Sequence, residues 1–133
     1  MKKKINVLIS HSGNNFCAQS DQVSGCYATS KDADELKIQF KQTVDFYLDS
    51  LAEDNEKLPF AKDGYELEFS YTTEALLQAY KDKLPFSALS KITGINQSLI
   101  SHYANGIKKP RKKQSDRILT GFHEIGKELC ALR

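Results

Sequence analysis

The sequence predicts an α+β chain in two parts: an N-terminal β-β-β-α-β module over 1–71 and an all-α module over 72–133. Three observations predict it. Apolar residues alternate with polar ones near the N-terminus and again at 65–71, the period of a strand with one buried face. Elsewhere apolar residues recur at three- and four-residue steps, the period of amphipathic helices. The formal charge of +2 over 133 residues also conceals a division. Residues 1–71 carry 8 Lys/Arg and 12 Asp/Glu, a net of −4, whereas residues 72–133 carry 11 and 5, a net of +6. Modules of opposite charge have different partners.

Each element follows from its residues. Ile5, Val7 and Ile9 alternate with Asn6, Leu8 and Ser10 in a first strand. Gly13-Asn14-Asn15 is turn chemistry, and Phe16 to Ser20 returns as the second strand of a hairpin. Ser24-Gly25 breaks that strand, and Cys26 to Thr29 is a short third one. Asp32 with Glu35 has the spacing of a capping box. It opens a helix whose apolar face is Ala33, Leu36, Phe40, Val44, Tyr47, Leu48 and Leu51. The polar stretch from Ala52 to Lys57 ends it. After the turn at Asp63-Gly64, the residues Tyr65, Leu67, Phe69 and Tyr71 make the last strand. One helix on one face of a small antiparallel sheet is the expected arrangement.

In the second module Thr73 to Lys83 is helical, with Thr73 as cap and Ala75, Leu76, Ala79 and Tyr80 on one face. Leu84-Pro85 interrupts it. A short helix from Phe86 to Ile92 ends at Thr93-Gly94, where glycine suits a left-handed turn position. Ile95 anchors the turn. Asn96 caps a third helix, Gln97 to Asn105, and Gly106 follows as its C′ residue. A last helix runs from about Ser115 to Leu129, with Ile118, Leu119, Phe122, Ile125 and Leu129 as its apolar stripe.

Composition excludes several functions. Apolar residues are 40% and charged residues 27% of the chain, the values of a soluble globular protein. No apolar run approaches the roughly 18 residues of a membrane span. The apolar stretch after Lys2-Lys3-Lys4 stops at Ser10, too soon for a secretory signal. A cytoplasmic, non-membrane protein is expected. Cys17, Cys26 and Cys130 are an odd set without Cys-x-x-Cys spacing, so reduced thiols are expected rather than disulfides or a zinc site. A metal-dependent nuclease would need carboxylates converging from its strands. The first carboxylate is Asp21, beyond the hairpin, and Glu66 and Glu68 lie on the polar face of the last strand. His11 and Cys17 read as structural. The module is therefore expected to be non-enzymatic, with no catalytic residues, metal or cofactor, and to work as a surface.

The second module carries the sharper signal. Gln97, Ser98, Ser101 and His102 point outward near the start of the third helix, with the size and polarity to meet base edges in a major groove. Lys108, Lys109, Arg111, Lys112, Lys113 and Arg117 fall within ten residues, a run suited to a polyanion. The stretch from Leu89 to Pro110 (Leu89-Ser90-Lys91-Ile92-Thr93-Gly94-Ile95-Asn96-Gln97-Ser98, through Asn105-Gly106, to Lys108-Lys109-Pro110) resembles the helix-turn-helix of the Cro/lambda-repressor type. The resemblance covers roughly residues 73–120. It implies that Gln97, Ser98, Ser101 and His102 read bases, and that Asn96, Lys108, Lys109 and Arg111 contact phosphate. Ser90 stands where that family commonly has Ala.

The order of the two modules, with the hairpin around Gly13 to Phe16, Asp21-Gln22-Val23-Ser24-Gly25-Cys26 and Thr29-Ser30-Lys31-Asp32-Ala33-Asp34-Glu35-Leu36, resembles the HicB family of antitoxins. The prolines common in that family are missing here, and its Gly-Asp-Thr reads Ser30-Lys31-Asp32. The resemblance implies a partly degenerate RNase H-like first module that masks a small mRNA-cleaving HicA-like toxin. It further implies a second module that binds double-stranded operator DNA and represses the shared operon. A protein that binds RNA is expected to be basic, which suits the net −4 module. Asp21, Asp32, Asp34 and Glu35, with Asp45 and Asp49, are the candidates for that toxin-binding face. One small reader contacts little DNA and operators are symmetric, so a homodimer or homotetramer is expected. It would be joined through the last helix or an added sheet edge. The alternative is a stand-alone helix-turn-helix repressor whose first module dimerises or senses a ligand. An RNA-processing enzyme is a third reading, opposed by the absence of converging carboxylates.

Overall fold

Ile5, Val7 and Ile9 are wholly buried, and their strand, β1 (Lys3–Ser12), lies inside a four-stranded sheet whose order is β3 (Tyr27–Ser30), β2 (Asn15–Gln19), β1, β4 (Tyr65–Tyr71). In this computed structural model, which describes residues 2–133, the chain divides into two compact units, Met1–Thr72 and Thr73–Arg133. The described residues form an α+β fold with one mixed sheet and five helices.

In the first unit β2 (Asn15–Gln19) and β3 (Tyr27–Ser30) follow β1 as an antiparallel meander. The next element is α1 (Ala33–Glu53), then β4 (Tyr65–Tyr71). The expected antiparallel sheet is corrected at this point: β4 pairs parallel to β1, with Ile5 opposite Leu67 and Val7 opposite Phe69. The reason is connectivity. Two hairpin steps leave β3 running in the same direction as β1. A helix of 21 residues carries the chain back about 31 Å, so the strand after it must run as β3 does. A parallel partner needs such a crossover.

Leu36, Phe40, Val44 and Leu48 of α1 are wholly buried and cover the Ile5–Val7–Ile9 face. The capping box is also corrected. Asp32 is the N-cap, and its Oδ1 accepts from Asp34 N at 2.8 Å. Glu35 does not reach back; its Oε1 accepts from Gln39 Nε2 at 3.1 Å. Beyond the end of β2 the side chain of Gln22 continues the ladder. Its Oε1 accepts from Asn6 N at 2.7 Å and its Nε2 donates to Lys4 O at 3.2 Å.

On β4 only Tyr65 is fully buried. Lys37 of α1 places its ammonium 5.4 and 5.3 Å from the Phe69 and Tyr71 ring centres, as a stem-and-head cover for an edge strand. Lys41 Nζ donates to Tyr65 Oη at 3.2 Å and to Asp45 Oδ2 at 3.1 Å, and Tyr65 Oη donates to Asp45 Oδ1. Burial, then the hydrogen bond to Asp45, pushes the Tyr65 phenol above its ordinary value of 10.0. Hydrogen bonds to Tyr65 and Asp45 raise the Lys41 ammonium above 10.5. Both groups hold their protons more tightly folded than unfolded. Their contribution is therefore present below those ordinary values and lost as pH rises through the raised ones. Burial also pushes the Cys26 thiol above its ordinary 9.0, so urea midpoints of the whole chain are expected to hold steady to about pH 9 and fall beyond it.

The second unit is α2 (Thr73–Tyr80), α3 (Phe86–Thr93), α4 (Gln97–Ala104) and α5 (Lys112–Cys130). Its core is Ala75, Leu77, Leu89, Ile95, Ile100, Tyr103, Ala104 and Ile118. Leu77, off the expected face of α2, is wholly buried, whereas Ala79 and Tyr80 are half-buried. Thr73 stands within α2 itself, and its Oγ1 donates to Ser115 Oγ at 2.9 Å. The last helix begins at Lys112, three residues before the expected start, so Lys112 and Lys113 are helical rather than part of a loop. Among the described residues no helix is long and apolar enough to cross a membrane.

Candidate nucleic-acid interface

The turn between α3 and α4 is three residues, Gly94, Ile95 and Asn96, and every part of it is tied down. Gly94 caps α3 at φ 76°, in the left-handed region, and its N–H donates to Ser90 O at 2.9 Å. Ser90 Oγ donates to Ile95 O at 2.6 Å, so serine at this position closes the turn. Thr93 Oγ1 donates to Leu89 O at 2.7 Å and accepts from Ile95 N at 3.2 Å. Arg117 of α5 donates to Thr93 O and, at 3.0 Å, to Gln114 Oε1. Ile95 is 3% exposed and pins the turn to the core.

The turn fixes the start of α4. Asn96 is its N-cap, with Oδ1 accepting from Ser98 N at 2.8 Å, so only its amide nitrogen is left to meet a phosphate. Gln97 and Ser98 are exposed in the first turn. Ser101 and His102, expected to point outward with them, are half-buried. Asn105 Nδ2 donates to Ser101 O at 2.9 Å and lies 3.4 Å from its Oγ. His102 Nδ1 is buried without a hydrogen-bond partner. These two residues sit one turn further along the same helix face, and the Asn105 side chain lies over Ser101 there. The helix ends in a Schellman arrangement. Ile107 N donates to His102 O at 2.9 Å and Gly106 N to Tyr103 O at 3.3 Å, with Gly106 at φ 72°.

Beyond that end the chain forms a cleft of about 450 Å³ lined by Tyr103, Lys108, Lys109, Arg111, Lys113, Gln114 and Arg117. It brings together Lys108, Lys109 and Arg111 of the expected phosphate set. Lys113 and Arg117 join them from α5. Their four-residue spacing puts both on one helix face once the helix is known to start at Lys112. Arg111 is the N-cap of α5 and makes no side-chain cap bond, so the first amides of that helix add partial positive charge to the cationic wall. Lys112 points elsewhere and pairs with Asp116 at 3.3 Å.

On the first unit, Asp32, Asp34 and Glu35 lie together at the start of α1. Asp21 precedes β3 whereas they follow it, so it belongs to the other end of that strand. Asp45 is engaged with Tyr65 and Lys41, and Asp49 pairs with Lys62 at 2.9 Å. His11 packs edge-on against Phe16 with ring centres 4.8 Å apart. Cys17 Sγ accepts from Tyr27 Oη at 3.3 Å, and burial pushes the Cys26 thiol up. Among the described residues no three His, Cys, Asp or Glu side chains are placed to share a metal ion.

Compared with family models, with curated proteins and with solved structures, the chain finds no match.

Proposed function

We propose that this chain is a cytoplasmic antitoxin and autorepressor of the HicB kind. In this reading it is a non-enzymatic protein whose first unit is a HicB-like, RNase H-like module that binds and neutralises a small basic HicA-like toxin. Its second unit is a helix-turn-helix that binds double-stranded operator DNA. The observation that carries the DNA-binding half is a single one. A short helix with an exposed polar first turn, Gln97 and Ser98, leads at its far end into a cleft walled by five Lys and Arg side chains. Polar side chains on a helix start can read base edges, and cations with a helix N-terminus can hold phosphates. The toxin-binding half rests on the net charge of −4 over residues 1–71 and on the resemblance in sequence.

The test is titration of the purified chain with the DNA upstream of its own gene, followed by fluorescence anisotropy. Gln97→Ala and Ser98→Ala are each expected to weaken binding by about 1–3 kcal/mol and to relax preference at one base pair. Equal loss on scrambled DNA would remove their base-reading role.

Operator symmetry asks for two readers. Ile118, Phe122, Ile125 and Leu129 alternate four- and three-residue steps along α5, the spacing of a two-helix seam, and Leu132 follows just past the helix end. Ile118 is buried within the unit, whereas Leu129 and Leu132 are 61% and 69% exposed. A homodimer, or a tetramer of two such pairs, joined along this end of α5 covers them. Sedimentation equilibrium at micromolar concentration is expected to give at least twice the chain mass of 15.0 kDa. Leu129→Glu with Leu132→Glu should return one chain mass and weaken operator binding.

A further inference from the structure

The helix α1 has a second face that the sheet does not use. Its inward stripe is Leu36, Phe40, Val44 and Leu48, all wholly buried. On the opposite side Glu35, Ile38, Gln42, Phe46, Asp49 and Glu53 follow one another at three- and four-residue steps and form a continuous stripe. Ile38 is 62% exposed and Phe46 73% exposed, although both are large and apolar. They stand two turns apart, with Gln42 between them.

The charges on that stripe have one sign. Three of its six residues are carboxylates and none is a cation. The two lysines of α1 lean to the β4 side, Lys37 over Phe69 and Tyr71 and Lys41 over Tyr65. Lys62 reaches Asp49 from the loop after the helix, at 2.9 Å. Two large apolar side chains in an acidic frame, spaced by two helical turns, have the form of a helix that lies in a groove. The groove that fits has an apolar floor and a rim of Lys or Arg. A nucleic acid would be repelled. With Asp49 offset by Lys62, a second copy would still set Glu35 and Glu53 against carboxylates of the same sign.

We infer that the outward stripe of α1, anchored by Ile38 and Phe46, docks into an apolar groove on a basic protein. This rests on the antitoxin reading and deepens it, because it places the toxin on the α1 helix face rather than on the Asp21 side of the sheet. Ile38 and Phe46 enter the partner's groove, and Glu35 and Glu53 meet its basic rim.

The experiment places a photo-crosslinking phenylalanine analogue at position 46, 38 or 27 of the full chain in its own cells. Tyr27, 55% exposed on β3, serves as the comparison surface. Positions 46 and 38 are expected to capture a small basic protein, and position 27 is not. That protein, purified and released, is then assayed for RNA cleavage with added antitoxin chain. Phe46→Lys with Ile38→Lys should inhibit at least 100-fold less well than the unaltered chain, with circular dichroism unchanged. Tyr27→Lys should inhibit normally. Capture of a second copy at position 46 would overturn the inference. So would full inhibition by the Ile38/Phe46 variant, which leaves the antitoxin reading standing. If none of the three positions captures a basic protein and the chain inhibits no RNA cleavage, the antitoxin reading falls with it.

Discussion

Replacing Gly121 by leucine is expected to unfold residues 73–133 at temperatures the unaltered chain withstands. Gly121 is in the middle of α5, where helix propensity alone favours almost any other residue by up to about 1 kcal/mol. A Cβ at this position would lie 2.9 Å from Thr93 Cγ2 and 3.3 Å from Ile92 Cγ2. Thr93 cannot turn its methyl away, because its Oγ1 is held by Leu89 O and by Ile95 N. The crossing of α5 over α3 is therefore set by the missing side chain. Forcing four carbons into it separates the helices, uncovers Leu89 and Ile118, and pulls Arg117 from Thr93 O. Overpacking of this kind costs about 3 kcal/mol. Thermal melting followed at 222 nm should show it, and operator binding should fail at the same temperature. Gly126 is the matched comparison. It is also inside α5, but nothing lies within 4 Å of a Cβ built on it. Gly126→Ala is expected to stabilise and Gly121→Ala to destabilise. If both substitutions raise the melting temperature, the close crossing is wrong.

Gly121 also marks where the sequence stops being legible. Glycine in a helical pattern says only that something approaches closely or that nothing does, and Gly121 and Gly126 look alike on the page. The turn glycines are different. Gly94 and Gly106 stand between helical stripes, where a left-handed residue has a defined use, and both have it. The inward stripe of α1 was legible because four aliphatic or aromatic residues at helical spacing leave one way to form a core. The direction of β4 was harder to read, since alternation gives a strand its buried face but not its partner. The cationic cleft was half legible. Lys108, Lys109 and Arg111 announce themselves by charge density, whereas Lys113 and Arg117 depend on where α5 begins, and the sequence pattern points to Ser115 rather than Lys112. Arg117 and Ser90 show the remaining gap. Their partners are backbone carbonyls in and beside the α3–α4 turn, and only the folded turn reveals that these carbonyls need donors. Ile38 and Phe46 fall outside the core stripe, so periodicity alone gives them no partner.

The cleft gives the other large expected effect. A chain carrying Lys108→Ala, Lys109→Ala and Arg111→Ala together should lose about 100-fold in affinity at physiological salt, for operator and scrambled DNA alike. The arithmetic follows from ion release. Each phosphate neutralised contributes a slope of about −0.9 in log K against log salt. Three lost contacts flatten that slope by about 2.7 per chain, which is about 100-fold between molar and physiological salt. In a dimer the change in slope doubles to about 5.4, and the loss in affinity is squared to about 10,000-fold. None of the three residues is buried, and none is a partner in the ion pairs of this unit, so the melting temperature should not move. Arg117 separates charge from architecture. It lines the same cleft yet donates to Thr93 O in the turn beside Gly94. Arg117→Lys keeps the charge and loses the planar fork, and is expected to weaken operator binding through the position of α4 while leaving the salt slope almost intact. An unchanged slope in the triple variant would mean that the cleft does not face DNA. A loss confined to the operator would mean that these cations read sequence rather than hold the backbone.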